Sequence, residues 1–378
     1  LRILYFTRGY TPHDWRFLSS LAVTGYQVYF LHLEGHDPPV EERPLPEGIE
    51  AIAWVGGREP VGVKDYAGLL PDLKRVLGEI EPDLVHAGPI QRSAFLVALA
   101  GFQPLVSMSW GYDLLYDAER SEFGRQAARY TLEHSSVLVG DCQAVRRKAI
   151  ALGMPDERIV TFPWGIDLER FTPPQKKRPS GGTFTLLSTR SWEPIYGVDV
   201  LARGFVQAAR QRPELRLLML GNGSQAGLLR EIFGGGGVLD RVEFPGQVGQ
   251  AGLPAFYRAA DLYASASHSD GSSVSLMEAM ACGLPAAVSD IPGNREWIEP
   301  GVTGWWFPDG DPDALGDALV QAIVQRERLA EMGIAARRVA ERRADWKANF
   351  PHLLEAYDLA LDGAETRPVQ DRPDNHEF

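Results

Sequence analysis

Apolar and polar positions follow two alternating rhythms along this chain. The runs LRILYF, YQVYFLHL, IEAIAWV, DLVHAG, PLVSMSW, VLVGD and IVTFPWG are rich in β-branched and aromatic residues. Between them lie segments of helical period such as RFLSSLAV and LLPDLKRVLGEI. Strands that alternate with helices predict βαβ units and a parallel sheet. The rhythm breaks at ERFTPPQKKRPSGG, residues 169 to 182, where Pro, Gly and basic residues mark a linker. A second series follows in FTLLSTR, LRLLMLG, VEFPG, DLYASAS, PAAVSD and GWWFP. The expected architecture is α/β, with two doubly wound Rossmann-like domains, residues 1–172 and 173–350, facing across a cleft at the carboxyl ends of their strands. DWKANFPHLLEAYDLAL predicts a closing helix over 351–362, and the polar, aperiodic residues 363–378 read as a disordered tail.

Size and composition narrow the function. A chain of 378 residues exceeds what one core usually organises, so two domains are the default. No apolar run approaches the ~20 residues of a membrane span and no charged-then-apolar leader precedes the first strand, so a cytosolic location is expected. Cys142 and Cys282 sit far apart in apolar surroundings, which favours reduced core thiols over a disulfide or a metal site. The net charge of -12 argues against nucleic acid as partner. Two basic clusters, 146–148 and 176–178, are either solvated or positioned to touch acidic lipid headgroups at the inner membrane face. Oligomeric state is not legible.

The most informative stretch is HSDGSSVSLMEAMACGLPAAVSD, residues 268–290. Asp270 precedes the turn Gly271, Ser272, Ser273 and Val274, and Glu278 follows about two helical turns later, on the same face. Backbone N–H groups at the turn and helix start would cradle a diphosphate. A carboxylate further in accepts hydrogen bonds from a ribose diol, which leaves Asp270 for a sugar. A plain strand, turn and buried helix is the alternative reading of the same residues.

These residues resemble the C-terminal half of glycosyltransferase family 4, retaining enzymes of the GT-B fold. That signature is Glu, seven residues, Glu, then a small-residue helix and a Gly-x-Pro turn. Glu278, Ala279, Met280, Ala281, Gly283 and Pro285 match it, while Asp270 stands where the first Glu is usual and is one methylene shorter. The resemblance implies that Arg190 clamps the leaving diphosphate. The Lys usual six residues later is Tyr196, which can donate one hydrogen bond but carries no charge. The resemblance further suggests Gly221, with Gly223, as a turn at the donor and Gly246 with Val248 as a base-contacting loop. It places Glu296 and Gly304 in register with the family's C-terminal pattern.

In the N-terminal half the likeness is one of outline. Gly9, after the first strand, would let backbone approach the sugar diphosphate. His13, Asp14 and Arg16, on what reads as the following loop, are acceptor candidates, or merely solvated. VSMSWGYDLL resembles the family's His-Gly-x-Asp, with Trp110 in place of His and with Gly111 and Asp113 in register. Trp110 would serve as a stacking wall, and Asp113 would orient the acceptor or cap a helix. His86 matches a strand-end position, and Pro163, Gly165, Asp167 and Phe171 match a pattern before the linker. Trp15, Trp164 and Trp192 add aromatic surface for stacking or for core packing. In relatives of this fold the last helix crosses back onto the first domain.

Asp311-Pro312-Asp313 resembles the Asp-x-Asp that binds metal in a different glycosyltransferase fold, but here it should cap a helix. No cofactor and no essential metal are expected. The first functional reading is therefore a retaining transferase that moves a sugar from a nucleoside diphosphate sugar to a hydroxyl acceptor, with Asp270 and Arg190 at the reacting centre. The alternative is a nucleotide-sugar or glycan-binding protein whose catalysis has decayed, consistent with the departures at Asp270, Tyr196 and Trp110. An epimerase of the same fold ranks last, because such enzymes lack this turn with its paired acids.

Overall fold

The computed structural model describes residues 1–35, 41, 43–175 and 182–365. Seven strands form the first sheet: β1 (Arg2–Thr7), β2 (Gln27–His32), β3 (Ile49–Ala51), β4 (Leu84–Ala87), β5 (Leu105–Met108), β6 (Val137–Gly140) and β7 (Ile159–Thr161). Six form the second: β8 (Phe184–Ser188), β9 (Leu215–Leu220), β10 (Val242–Gly246), β11 (Leu262–Ser265), β12 (Ala286–Ser289) and β13 (Gly304–Phe307). Each of the thirteen coincides with a run picked out by its apolar pattern, β1 extending one residue beyond its own. Strands such as β4, β5, β11 and β12 are buried along their whole length, as a parallel sheet covered on both faces requires.

The orders are β3-β2-β1-β4-β5-β6-β7 and β10-β9-β8-β11-β12-β13, with every pairing parallel. Chain order reverses between β1 and β4 in the first sheet and between β8 and β11 in the second. Loops leaving neighbouring strands at such a point part to opposite faces and open a crevice, where doubly wound sheets take ligands. Arg190 leaves β8 at this point, and Asp270 follows β11.

The chain crosses between the halves twice, and the crossings lie side by side. Ile166 N donates to Ala344 O at 2.7 Å and Trp346 N donates to Ile166 O at 3.1 Å. The last helix, Pro351–Glu365, then lies on the first sheet, its Leu353, Ala356, Tyr357 and Ala360 packed with Ile3, Tyr5, Val106 and Val139. His86 holds it there: the Tyr357 hydroxyl lies 2.7 Å from His86 Nδ1, and burial lowers the imidazole to about 3, so the ring is neutral. The sequence expectations for 176–178 and for most of the tail fall outside the described residues. In the other basic cluster, Arg146 binds Ile159 O and the Asp156 carboxylate and Lys148 pairs with Glu119, so neither is a free cation for a lipid surface.

Candidate active site

The helix Val274–Ala281 starts at Ser273, whose side chain makes no cap, so its first amides face the crevice without an intrahelical partner. Arg190 lies across this end. Its guanidinium is 2.8 Å from Asp270 Oδ2, with the two side chains only 11% and 18% exposed, and it donates to Ser273 Oγ at 3.0 Å and Ser275 Oγ at 3.1 Å. The ring of Tyr196 lies beneath it, 4.1 Å from centroid to guanidinium carbon. Tyr196 thus presents its face to Arg190, a cation–π support, where the sequence had suggested a hydroxyl donor at the ligand.

Glycines make this packing possible. Gly221, at φ +110°, lies against Arg190, where a Cβ would come within 2.7 Å of the Arg190 carbonyl oxygen. Gly221 N donates to Gly246 O at 2.8 Å, which ties the two turns together beside Arg190. About one turn into the helix, Glu278 is buried. Tyr257 Oη donates to its Oε2 at 2.8 Å and Gln250 Nε2 to its Oε1 at 3.3 Å. Burial pushes this carboxyl up to about 7 against the lowering pull of Tyr257, Arg16, Gln250 and Arg170.

The first domain closes on this turn. Gly111, at φ +86°, sits so near that a Cβ on it would come within 2.7 Å of Gly271 N. Gly9 is buried at the carboxyl end of β1. His13 faces the crevice: burial lowers it to about 3, followed by the positive charges of Arg16, Arg190 and Arg43, so a neutral imidazole sits among cations from both domains. Its ring centroid is 5.6 Å from that of Trp110, which in turn meets Phe17 and Trp164. Trp164 and Trp192 are core residues, while Trp15 is exposed.

Two acceptor candidates are corrected by the structure. His13, Asp14 and Arg16 lie on the helix Pro12–Leu21, not on a loop, and Asp14 completes a capping box with Thr11. Its other oxygen accepts from Tyr5 Oη at 3.0 Å, and the side chain is 0% exposed beneath its own helix start, out of an acceptor's reach. Asp113 is buried too, and accepts from Ile90 N at 2.9 Å, Ser109 Oγ at 2.6 Å and Leu114 N at 3.0 Å. It braces the loops after β4 and β5 and is neither an N-cap nor a crevice residue. Asp311 does cap: its Oδ1 accepts from Asp313 N and Ala314 N, both at 3.0 Å. Cys142 and Cys282 are buried free thiols.

Sequence reasoning missed Tyr257, Gln250, Ser275 and Asp141. The Oδ2 of Asp141 accepts from Ser272 N at 2.7 Å, and burial, ahead of the opposing pull of that bond and the repulsion of Asp270, pushes the carboxyl up to about 7. A position at the end of β6, a strand in the cleft-forming sheet, was the one available signal.

Two family models match the chain, "Glycosyl transferase 4-like domain" over residues 8–165 and "Glycosyl transferases group 1" over residues 170–339. The chain belongs to glycosyltransferase family 4. Among curated relatives, a phosphatidyl-myo-inositol mannosyltransferase of Mycobacterium leprae is 31% identical over 55% of this chain and 56% of its own length. The chain spans about half the length of that relative and of the others at similar identity. A GDP-mannose-dependent alpha-(1-6)-phosphatidylinositol monomannoside mannosyltransferase of Mycolicibacterium smegmatis is 25% identical over 75% of this chain and 78% of its own. The family's GT-B architecture is shared with Anabaena HepE solved with UDP and glucose, which superposes with a TM-score of 0.76 at 19% identity, covering 95% of this chain and 99% of that one. Among the described residues no helix is long and apolar enough to cross a membrane.

Proposed function

We propose that this family 4 member transfers a sugar, with retention of anomeric configuration, from a nucleoside diphosphate sugar to a hydroxyl acceptor. The observation that carries this reading is the convergence of Arg190, the uncapped start of the helix Val274–Ala281 and Glu278 on one side of the crevice. Arg190 and the helix amides take the diphosphate, whose charge grows as the bond from the anomeric carbon to the phosphate oxygen breaks. Glu278 receives the ribose hydroxyls. Asp270, freed from Arg190 as phosphate oxygens replace it, accepts from the sugar. The acceptor oxygen bonds to the anomeric carbon on the face the phosphate leaves, and its proton passes to the departing phosphate oxygen. No protein nucleophile is required, so Trp110 in place of histidine leaves the pathway intact. The relatives' names, GDP-mannose in one and UDP in another, make UDP and GDP the first donors to try.

Proton NMR of donor hydrolysis tests the stereochemistry. An α-linked donor should release the α anomer first, before mutarotation, and the β anomer first would contradict retention. A binding protein with decayed catalysis would release neither. The Arg190 clamp, held by Ser273, Ser275 and the Tyr196 ring, favours turnover over that alternative.

Donor binding should also depend on pH. Ribose hydroxyls donate to the ionised form of Glu278, so binding favours loss of its proton. Affinity should rise with pH and level off above about 7, the donor binding about tenfold more weakly at pH 6 than at pH 8. Folding has the opposite sign. A carboxyl raised by burial contributes least to stability once pH passes its folded value, so the apo protein loses stability from about pH 4.5 to about pH 7 through this group. Asp141 titrates in the same range, so calorimetry on Glu278→Gln isolates the contribution. That variant should flatten the binding profile, and an unchanged profile would remove Glu278 from the ribose.

A further inference from the structure

Two helices that meet at the domain boundary carry no cap of their own. The helix Gln143–Ala151 starts after Cys142 and the helix Val274–Ala281 after Ser273, and neither side chain caps. Each start is met by a carboxylate from the opposite domain, one at the first amides of its helix and the other at the residue before the N-cap. Glu296, from the second domain, accepts from Gln143 N at 3.1 Å and from Ala144 N at 3.0 Å. Asp141, from the first, accepts from Ser272 N at 2.7 Å, and its main-chain carbonyl accepts from Ser272 Oγ at 2.6 Å. The contacts are linked on both sides. Asp141 lies two residues before Gln143, and Trp297, next to Glu296, donates from Nε1 to Ser272 Oγ at 3.3 Å.

The surroundings are shaped for this arrangement. A Cβ on Gly271 would collide with the Asp141 carboxylate, and one on Gly293 with the carbonyl oxygens of Asp270 and Gly271. Arg343 stacks on Trp297 with its guanidinium carbon 4.5 Å from the ring centroid, and donates to the Glu296 carbonyl. Without Glu296 the first amides of Gln143–Ala151 lose their acceptor, and without Asp141 Ser272 N in the turn loses its own, so separating the domains removes both contacts at once. One of these ends is the turn that carries Asp270 and Ser273.

We propose that Asp141 and Glu296 form a reciprocal carboxylate clasp between the domains, and that Asp141 is through it a positioning residue for the donor turn. Closing the cleft and ordering residues 270–273 are then one event. The kinetic part rests on the transferase reading, while the conformational part does not.

The experiment uses the full chain with Glu296→Ala, Glu296→Gln, Asp141→Ala and Asp141→Asn, measured by small-angle X-ray scattering and by steady-state donor turnover. Both alanine variants should have a larger radius of gyration than the parent. Glu296→Ala should raise the donor KM about tenfold, the weight of one lost cap, with kcat little changed. Asp141→Ala should raise KM and lower kcat, because the turn itself is released. Gln at 296 and Asn at 141 keep an acceptor oxygen and should recover most of both effects. Parent-like scattering and KM in both alanine variants would overturn the clasp. Should Asp141→Ala fail to fold, the Glu296 pair decides alone. A parent without turnover counts against the transferase reading, and scattering still decides the clasp.

Discussion

Arg190→Ala should lower kcat/KM by about two to three orders of magnitude, the scale on which loss of one preorganised charge-stabilising donor is felt. Among the described residues, Arg190 is the cation in contact with Asp270, Ser273 and Ser275 at the start of the donor helix. With Tyr196 at the position where relatives carry a second cation, no lysine shares the load there. The loss should fall mainly on kcat, since the phosphate charge grows in the transition state. Arg190→Lys should recover only part of it, because an ammonium cannot span Asp270 and both serines while stacking on the Tyr196 ring. Steady-state kinetics with a varied donor checks both variants. Equal kcat in parent and Arg190→Ala would mean that leaving-group stabilisation lies elsewhere.

Glu278→Ala should weaken donor and free nucleotide alike, by about one to two decades, as expected for lost hydrogen bonds to a charged acceptor. The effect should be uniform binding, with kcat changed much less than KM, because the ribose does not react. Truncation also strips Tyr257 Oη of its buried acceptor, which lowers melting temperature. Glu278→Gln keeps an oxygen for Tyr257 and separates the two effects: it should restore stability and leave nucleotide binding weak. Calorimetric titration with the nucleotide reads the affinity, and differential scanning reads the stability.

Strands were legible because both faces of a parallel sheet are covered. VLVG in β6 and AAVS in β12 are buried throughout and read as unbroken apolar runs between turn residues. The turn after β11 was legible as structure because its residues are local: Asp270, Ser273 and Glu278 lie within one strand-turn-helix unit. The rest of the site depends on contacts between residues far apart. Asp141 meets Ser272 across 131 residues and Gln143 meets Glu296 across 153, and no periodicity encodes either. Tyr196 was assigned its hydroxyl because the side chain's polar atom is what a sequence displays, whereas its position under Arg190 is fixed by the Gly197 turn at φ +56°. Asp14 is a different case. Thr11 and Asp14 have the spacing of a capping box with Pro12 at the first helical position, so the helix was written in residues that read as a loop.

The central claim is that the crevice between Arg190 and Glu278 takes a nucleoside diphosphate sugar. Thermal stabilisation across UDP-, GDP-, ADP- and TDP-sugars, each beside its free nucleotide and followed by an assay for sugar release, tests it most directly, since a ligand that binds only the folded state raises its melting temperature. The account predicts a shift with one nucleotide series that is lost in Glu278→Ala, together with slow sugar release that is lost in Arg190→Ala. No shift with any of the four series would contradict it.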